Sequence, residues 1–242
     1  MYAKSIKLNI QNNIRQLYKT IQPTVKQSVE NVSYYELLPE LKLQPYIYCY
    51  WELKTNEKLK ENFFYKVVAD GCIDIFFELK NPKKSYVMGF CKNYVEFPLG
   101  KSFHYIGIRF LPTNFPQIFN IDASELSNRT EKLSLIDSET AFFIAENFNE
   151  KIKKEEIKVV LDNYLLELIS KVKFNNDERF FKAIDIILKK FGVLNIETEL
   201  ETGISSRQLR RLFEFYIGDT AKTFSKVVRF QNILRAKPST QS

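Results

Sequence analysis

The sequence predicts an α+β protein, with an N-terminal antiparallel β-sandwich or barrel-like domain followed by an all-α helix-turn-helix domain. Short runs of aromatic and β-branched residues, separated by turn signals, predict strands as far as Phe110. After Pro116 the apolar residues recur at helical spacing instead. With 242 residues, the chain is long enough for one large or two modest domains.

The β-rich region is predicted from five runs, at residues 46–54, 63–68, 72–79, 86–90 and 103–110. The turn signals between these runs include Asp70-Gly71, Asn81-Pro82 and Pro98-Leu99-Gly100. In the third run every second residue is apolar, and this set is Ile73, Ile75, Phe77 and Leu79. We expect the apolar set to face the core, and Asp74 and Glu78 to lie on an outward polar face.

The second half of the chain is predicted to be helical over residues 133–148, 155–172, 178–191, 196–201 and 205–216. A weakly helical stretch at residues 6–21 precedes the β-rich region. In the segment 155–172 the apolar stripe is wider than the seam of a two-stranded coiled coil. Packing on the core is therefore the preferred interpretation, and dimerisation through this helix stays open.

Cysteine and histidine usage excludes several kinds of site. Three cysteines without a C-x-x-C pair indicate free thiols, and one histidine is too few for a histidine-based metal site. Neither G-x-x-x-x-G-K nor G-x-G-x-x-G occurs, so these nucleotide-binding loops are absent. No apolar run is long enough to span a membrane, and the first ten residues lack the apolar core of a signal peptide. We expect a cytoplasmic protein with no metal, no cofactor and no membrane association.

Positive charge is concentrated near the C-terminus. Residues 205–237 hold eight basic and two acidic residues, so this segment carries +6 of the net charge of +7. It also holds five of the nine arginines, whose rigid guanidinium suits bidentate contacts to phosphate and to guanine. The pattern is typical of a nucleic-acid-binding segment, although a solvated basic helix face remains the alternative.

Residues 196–218 have the features of a helix-turn-helix. Gly203 permits the positive φ of a tight turn, and Ser205 with Gln208 forms an S-x-x-Q capping box at the start of the second helix. The apolar residues of this helix follow i, i+3, i+4, i+7 spacing, at Leu209, Leu212, Phe213 and Tyr216. The other faces are left to polar and basic side chains, as expected for a helix that enters the major groove.

The segment GISSRQLRRLFEFYIGDTAKTFSKVVRFQNIL, residues 203–234, resembles the first helix-turn-helix and the following long helix of AraC/XylS-type transcription regulators. In the β-rich region, residues 45–51, 70–77 and 107–110 are similar to an N-terminal sensor domain of one branch of that family. The resemblance implies a sequence-specific regulator that binds double-stranded DNA, and a β-rich domain that senses a small-molecule effector. It leaves open whether the protein forms a homodimer.

The resemblance also implies the functional residues. The helix at residues 205–216 would read the major groove, and the expected DNA-binding residues are Ser206, Arg207, Gln208, Arg210, Arg211, Lys222 and Arg229. For Arg229, an arginine that ties the long helix to its neighbour is the alternative. The effector is expected in a cavity lined by Tyr48, Trp51, Phe64, Phe76, Phe77 and Tyr86, although each of these residues also fits an ordinary aromatic core.

Several features depart from the pattern of the family. Ala69 and Ala221 stand where proline is usual, and Glu199 stands where alanine is usual, which suggests a shifted register or a weakly packed first helix. Such regulators carry two helix-turn-helix units, whereas this chain ends at Ser242, about where the second unit would begin. We expect either a naturally short protein or a truncated piece.

The sequence predicts four parts of the chain. They are an N-terminal helical and polar extension (1–32), a β-rich sensor domain (33–126), a helical linker or dimerisation region (127–176), and a DNA-binding domain truncated after its first helix-turn-helix (177–242).

Two alternatives stay open. The first is a ligand-sensing or protein-interaction module that no longer binds DNA. The second is an enzyme built on the β-rich domain, whose candidate residues would be Asp70, Cys72, Asp74, Glu78, His104 and Arg109. A turn, a polar strand face and a packed histidine explain these residues more simply, so we expect no enzymatic activity.

Overall fold

The structure is a computed structural model that describes residues 14–22, 30–175 and 177–236. An N-terminal antiparallel β-sheet region at residues 32–132 is followed by a helical region, which confirms the α+β class. Of the helix expected at residues 6–21, only the part from residue 14 is described, and residues 14–17 are helical. Most of the polar extension at residues 1–32 lies outside the described residues.

The β-sheet region contains eight strands in the described part of the chain. They are β1 (Val32–Leu37), β2 (Ile47–Thr55), β3 (Phe63–Val67), β4 (Ile73–Glu78), β5 (Asn81–Met88), β6 (Val95–Gly100), β7 (His104–Phe110) and β8 (Thr130–Lys132). Six strands form one sheet in the order β1-β2-β7-β4-β5-β8, and β3 pairs with β6 in a separate two-stranded ribbon. Every pairing is antiparallel.

The five predicted runs are confirmed as strands, and β1, β6 and β8 were not predicted. The prediction of a turn at Pro98-Leu99-Gly100 was wrong, because these residues belong to β6. Each strand of a two-stranded ribbon has one unpaired edge. A proline whose nitrogen faces that edge removes no backbone hydrogen bond between the strands. Asn81-Pro82 likewise lies in β5, at the start of the strand, rather than in a turn.

Both faces of the six-stranded sheet are covered. The alternating set Ile73, Ile75, Phe77 and Leu79 is buried as predicted. The opposite face of β4 lies under the β3-β6 ribbon, where Trp51 and Tyr65 belong to one apolar cluster. The expectation that Asp74 lies on an outward polar face was therefore wrong, since this residue is 1% exposed.

Helices cover the other face of the sheet. They are α1 (Asn114–Phe119), a 3-10 turn (Ala123–Leu126), α2 (Leu133–Ile136), α3 (Ser138–Asn147) and α4 (Lys154–Ser170). Helix α4 inserts Ile157, Leu161 and Leu165 into the same apolar cluster as Phe77 of β4. Most of the region that the sequence assigned to a linker or dimerisation element thus packs on the sheet.

The C-terminal helices are α5 (Glu178–Lys189), α6 (Ile196–Glu199), α7 (Ser206–Ile217) and α8 (Ala221–Ala236). They share one buried cluster with the β-sheet region, in which Tyr18 and Phe90 pack with Phe180, Phe213 and Phe224. The helical unit is therefore docked on the β-sheet region through a common core. Among the described helices, none has the length and the apolar composition that a membrane span requires.

Candidate nucleic-acid interface

The segment predicted as a helix-turn-helix contains two helices, α6 and α7, joined by a turn. Gly203 has a φ of +75° in the connection between them, which is the conformation that glycine adopts without strain. The Oγ atom of Ser205 accepts a hydrogen bond of 3.3 Å from the amide of Gln208, so the serine half of the predicted capping box is present. Gly218 ends α7 in the left-handed conformation, and its amide donates to the carbonyls of Phe213 and Glu214.

The inner face of α7 is apolar and firmly packed. Leu209, Phe213 and Tyr216 are buried as predicted. The ring of Phe180 on α5 lies 5.1 Å from the ring of Phe213 and is stacked 4.9 Å from that of Tyr216. These contacts fix the rotation of α7 about its axis, so the remaining face of the helix points away from the core.

The outer face of α7 is polar and basic. The exposed side chains are those of Ser206, Arg207, Gln208, Arg210 and Arg211, all of which were predicted as DNA-binding residues. The Nε atom of Arg210 donates a hydrogen bond of 2.8 Å to Oε1 of Glu214, an exposed ion pair one turn along the helix. Within the part of the chain that the structure describes, Arg207 and Arg211 form no ion pair, so their guanidinium groups face water.

A second basic face lies on α8. Lys222, Lys226 and Arg229 are exposed at i, i+4 and i+7, which places them on one side of the helix. They line a hollow of about 220 Å³ together with Asn195 and Glu197 at the start of α6. Lys226 was not among the predicted site residues, although its spacing from Lys222 could have indicated it.

Helix α6 is held weakly, as the departure at Glu199 suggested. None of its four residues is buried. The carboxylate of Glu199 accepts hydrogen bonds from the amide of Asn195 and from Nζ of Lys190 at the end of α5. At the position where the family usually has alanine, Glu199 is exposed and forms only these polar contacts. Surface hydrogen bonds of this kind hold α6 less firmly than apolar packing would. For Arg229, no ion pair to a neighbouring helix is formed within the described residues.

The β-sheet region contains a small cavity between the six-stranded sheet and the ribbon. Its water-accessible volume is about 30 Å³, and Trp51, Phe76, Met88 and Tyr105 supply much of its apolar wall. This volume holds one or two water molecules, whereas a drug-sized ligand needs about 300–1,000 Å³. The cavity is therefore nearly filled by the aromatic side chains themselves.

Two of the six residues expected around the effector, Trp51 and Phe76, line this cavity. Phe77 points to the other face of the sheet because of the strand alternation, and its ring lies 4.8 Å from that of Phe148. Phe64 is half exposed on the ribbon, and Tyr86 stacks on Phe76 at 5.5 Å without lining the cavity. Tyr48 lies outside as well, with the guanidinium of Arg15 at 5.7 Å from its ring.

Buried charges close one end of the cavity. The Nε atom of Arg109 lies 3.2 Å from both carboxylate oxygens of Asp74, and Nη2 lies 3.1 Å from Oδ2. Nε1 of Trp51 donates a hydrogen bond of 2.9 Å to the same Oδ2, and the carboxylate of Asp70 is 3.4 Å from Nε of Arg109. Arg109 is only 2% exposed. We call these three residues, Asp70, Asp74 and Arg109, the buried charge cluster.

The other residues considered for an enzyme lie apart from one another. Nε2 of His104 is 2.7 Å from Oε1 of Glu52, and Glu78 pairs with Lys84 at 3.4 Å. Burial raises the pKa of the Cys72 thiol well above its ordinary value, which disfavours the reactive thiolate. The structure thus unites Asp70, Asp74 and Arg109 in an ion-pair cluster, and it does not bring His104 to Cys72.

The segment 69–71 joins the buried charge cluster to helix α8. Nε2 of Gln231 donates a hydrogen bond of 2.7 Å to the carbonyl of Ala69, and its Oε1 accepts one of 2.8 Å from the amide of Ile21. Gly71 has a φ of +72°, and a Cβ there would lie 3.1 Å from the ring of Phe224. The cavity and the candidate DNA-binding unit are therefore connected by direct contacts.

The titration of Asp74 gives a first prediction. Burial raises the pKa of this carboxyl to about 6, against the lowering effect of Arg109, and Asp70 raises it further. Because the folded state holds this proton more tightly than the unfolded state, the resulting stabilisation is full below about pH 4 and is lost as the pH rises through about 6. Between about pH 4 and pH 6, the free energy of unfolding of the native chain should fall relative to that of Asp74→Asn. Urea unfolding at several pH values measures this difference. If the free energy of unfolding changes with pH in the same way in both proteins, the prediction is wrong.

Comparison with known proteins gives one match. A family model described as a domain of unknown function, DUF6597, matches residues 35–132. This range extends from β1 to the end of β8, so it covers the β-rich region and stops before α2. No curated protein and no solved structure matches the chain.

Proposed function

We propose that this protein is a sequence-specific DNA-binding transcription regulator of the AraC/XylS type, and that α7 reads the major groove. The main support for the proposal is that α7 has one buried apolar face and one exposed basic face. Leu209, Phe213 and Tyr216 are buried against the core, while Arg207 and Arg211 are exposed without an ion pair among the described residues. A capped helix with this division can enter a groove without losing its internal packing.

The dimensions and chemistry of α7 suit base recognition. An α-helix with its side chains is about 10–12 Å in diameter and the major groove is about 12 Å wide, so α7 can lie within the groove. Arginine can donate two hydrogen bonds to O6 and N7 of guanine, which is the commonest specific contact in this groove. Ser206, Gln208 and Arg210 are further donors on the same exposed part of the helix. For Arg210, a base contact would replace its exposed pair with Glu214.

Helix α8 supplies the electrostatic part of the proposed interface. Lys222, Lys226 and Arg229 form its exposed basic face, which suits the phosphate backbone rather than base edges. Each phosphate that such a residue neutralises releases counterions, which makes the affinity depend on salt. We therefore assign specificity to α7 and general affinity to α8.

The β-rich region is proposed to act as the sensor. The cavity carries an aromatic wall with Trp51 and Phe76 and a polar end with Asp74 and Arg109, which suits a small ligand with one polar group. A ligand larger than two waters requires the ribbon to move away from the sheet. Such a movement would reach α8 through the segment 69–71, where Gln231 is bound.

The proposal predicts distinct effects for the two helices. Duplexes selected by the native chain from a random pool provide the specific site, and fluorescence anisotropy measures the affinity. Arg207→Ala and Arg211→Ala should each weaken specific binding about tenfold to a hundredfold and relax the preference at one base pair. Lys222→Gln should weaken binding to all sequences alike and reduce the slope of log K against log salt by about 1.

Arg129→Ala is the matched control, because Arg129 is an exposed arginine outside the helix-turn-helix. It should leave both the affinity and the preference unchanged. If the native chain enriches no sequence from the pool, the proposal fails, and a ligand-sensing or protein-interaction module becomes the better explanation. Equal weakening on every sequence would make Arg207 and Arg211 phosphate contacts.

A further inference from the structure

A groove runs between α8 and the β3-β6 ribbon. Its volume is about 970 Å³, which is within the size range of ligand sites, and it lies at a boundary between two structural units, where such sites are common. Residues of both units form its walls, including Lys66, Lys92 and Tyr94 from the β-sheet region and Lys226, Val227 and Phe230 from α8. We call it the interdomain groove.

Two large rings of the interdomain groove are left in water. Tyr94 is 66% exposed and Phe230 is 39% exposed, so apolar ring surface on both walls of the groove is in contact with water. They stand on different walls, since Tyr94 precedes β6 and Phe230 belongs to α8. Burying aromatic surface of this kind contributes about 25 cal/mol per Å². A planar apolar group placed in the groove would gain from both rings.

The charge of the interdomain groove is positive. Lys66 of β3, Lys92 of the β5–β6 connection and Lys226 of α8 line the groove, and all three side chains are exposed. Acidic residues offset part of this charge, because Asp219 lies 4.0 Å from Lys92 and Glu96 stands opposite Lys66 across the ribbon. The Lys92–Asp219 pair is long and the Lys92 side chain is about half exposed, so this lysine can turn toward an incoming anion at little cost. The groove therefore suits a ligand with a negative charge.

We propose that the interdomain groove binds a small aromatic anion, with its ring system against Tyr94 and Phe230 and its carboxylate, sulfonate or phosphate beside Lys66, Lys92 and Lys226. The proposal combines the exposed rings with the surrounding lysines, and it does not depend on DNA binding. The backbone of a DNA duplex would pair with the lysines and leave the two rings in water. A small aromatic anion accounts for both features.

Binding at this place has a consequence for the two structural units. The groove contains Ala69, whose carbonyl accepts the hydrogen bond from Gln231 of α8. A ligand that contacts Tyr94 on one wall and Phe230 on the other holds both sides of this junction together. We therefore expect the ligand to stabilise the docked arrangement of α8 on the β-sheet region.

The test uses the full chain and two fluorescent probes. 8-Anilinonaphthalene-1-sulfonate carries a negative charge, and N-phenyl-1-naphthylamine is its neutral counterpart. We expect the anionic probe to bind at one saturable site and to raise the thermal midpoint. Lys66→Gln combined with Lys226→Gln should weaken the anionic probe about tenfold or more and leave the neutral probe unchanged, because only the charge is removed. Phe230→Ala should weaken both probes.

Matched controls come from exposed residues elsewhere. Lys83→Gln and Phe142→Ala remove an exposed lysine and an exposed ring outside the groove, and they should change neither probe. Because all these side chains are exposed, we expect each variant to fold, which the thermal midpoint without probe verifies. Absence of a saturable site, or unchanged anionic binding in the lysine variant, would refute the proposal. The proposal would also be refuted if Lys66→Gln combined with Lys226→Gln weakened DNA binding and left the binding of the anionic probe unchanged. The groove would then be part of the DNA-binding surface.

Discussion

Replacing Arg109 with methionine is expected to lower the free energy of unfolding by about 3–5 kcal/mol. Arg109 is 2% exposed and neutralises two buried carboxylates, those of Asp70 and Asp74, at distances of 3.4 and 3.1 Å. The carboxylate of Glu36, which is exposed, lies farther away at 3.8 Å. Methionine keeps much of the side-chain volume but removes the cation. The two carboxylates would then be buried without a counter-charge, and the cost of that burial exceeds the loss of a surface pair.

Urea unfolding at neutral pH measures this effect, and an exposed ion pair provides the control. Lys171 pairs with Glu167 on α4 at 2.6 Å, with both side chains largely in water, so Lys171→Met should leave the unfolding midpoint almost unchanged. Arg109→Lys should restore little of the loss, because an ammonium cannot donate the parallel hydrogen bonds of the guanidinium. A destabilisation by Arg109→Met as small as that of Lys171→Met would show that the buried charge cluster does not form.

Replacing Gln231 with alanine is expected to lower the free energy of unfolding by about 2–4 kcal/mol. The side chain is 1% exposed and satisfies two backbone groups, the carbonyl of Ala69 and the amide of Ile21. The carbonyl of Ala69 is buried and the amide of Ile21 is partly buried, so each would lose its partner at a cost of about 1–3 kcal/mol, the amide toward the lower end. The two contacts join α8 to segments that are distant in the sequence, so their loss should loosen the docking of α8.

Hydrogen exchange locates this effect more sharply than unfolding does. The amide of Ile21 donates directly to Gln231, so it should exchange faster in Gln231→Ala than in the native chain. Asn232→Ala is the matched control, because among the described residues the side chain of Asn232 forms hydrogen bonds only within α8, donating to Val228 and accepting from Arg235. Equal exchange of Ile21 in both variants would contradict the role assigned to Gln231.

The local structure of residues 196–218 was the part of the molecule that the sequence determined most fully. The serine cap at Ser205, the positive φ of Gly203 and the apolar stripe with Leu209 and Phe213 were all predicted, and the structure contains each of them. All these signals act over at most four residues of chain, through a capping hydrogen bond, a backbone angle or helical periodicity. Strand β4 is similar, since its alternation alone indicated that Ile73, Ile75 and Phe77 face the core.

The tertiary structure alone decided what covers each face and which distant residues meet. The alternation of side chains along β4 places Asp74 on the face of the sheet away from Phe77. It does not show that the β3-β6 ribbon packs on that face and buries the carboxylate. Asp74 and Arg109 are 35 positions apart, and Gln231 and Ile21 are 210 apart. Periodicity and capping are properties of a short segment, whereas these contacts exist only where strand order and helix docking bring remote segments together. For that reason the exposed arginines of α7 could be read from the chain, and the buried charge cluster and the interdomain groove could not.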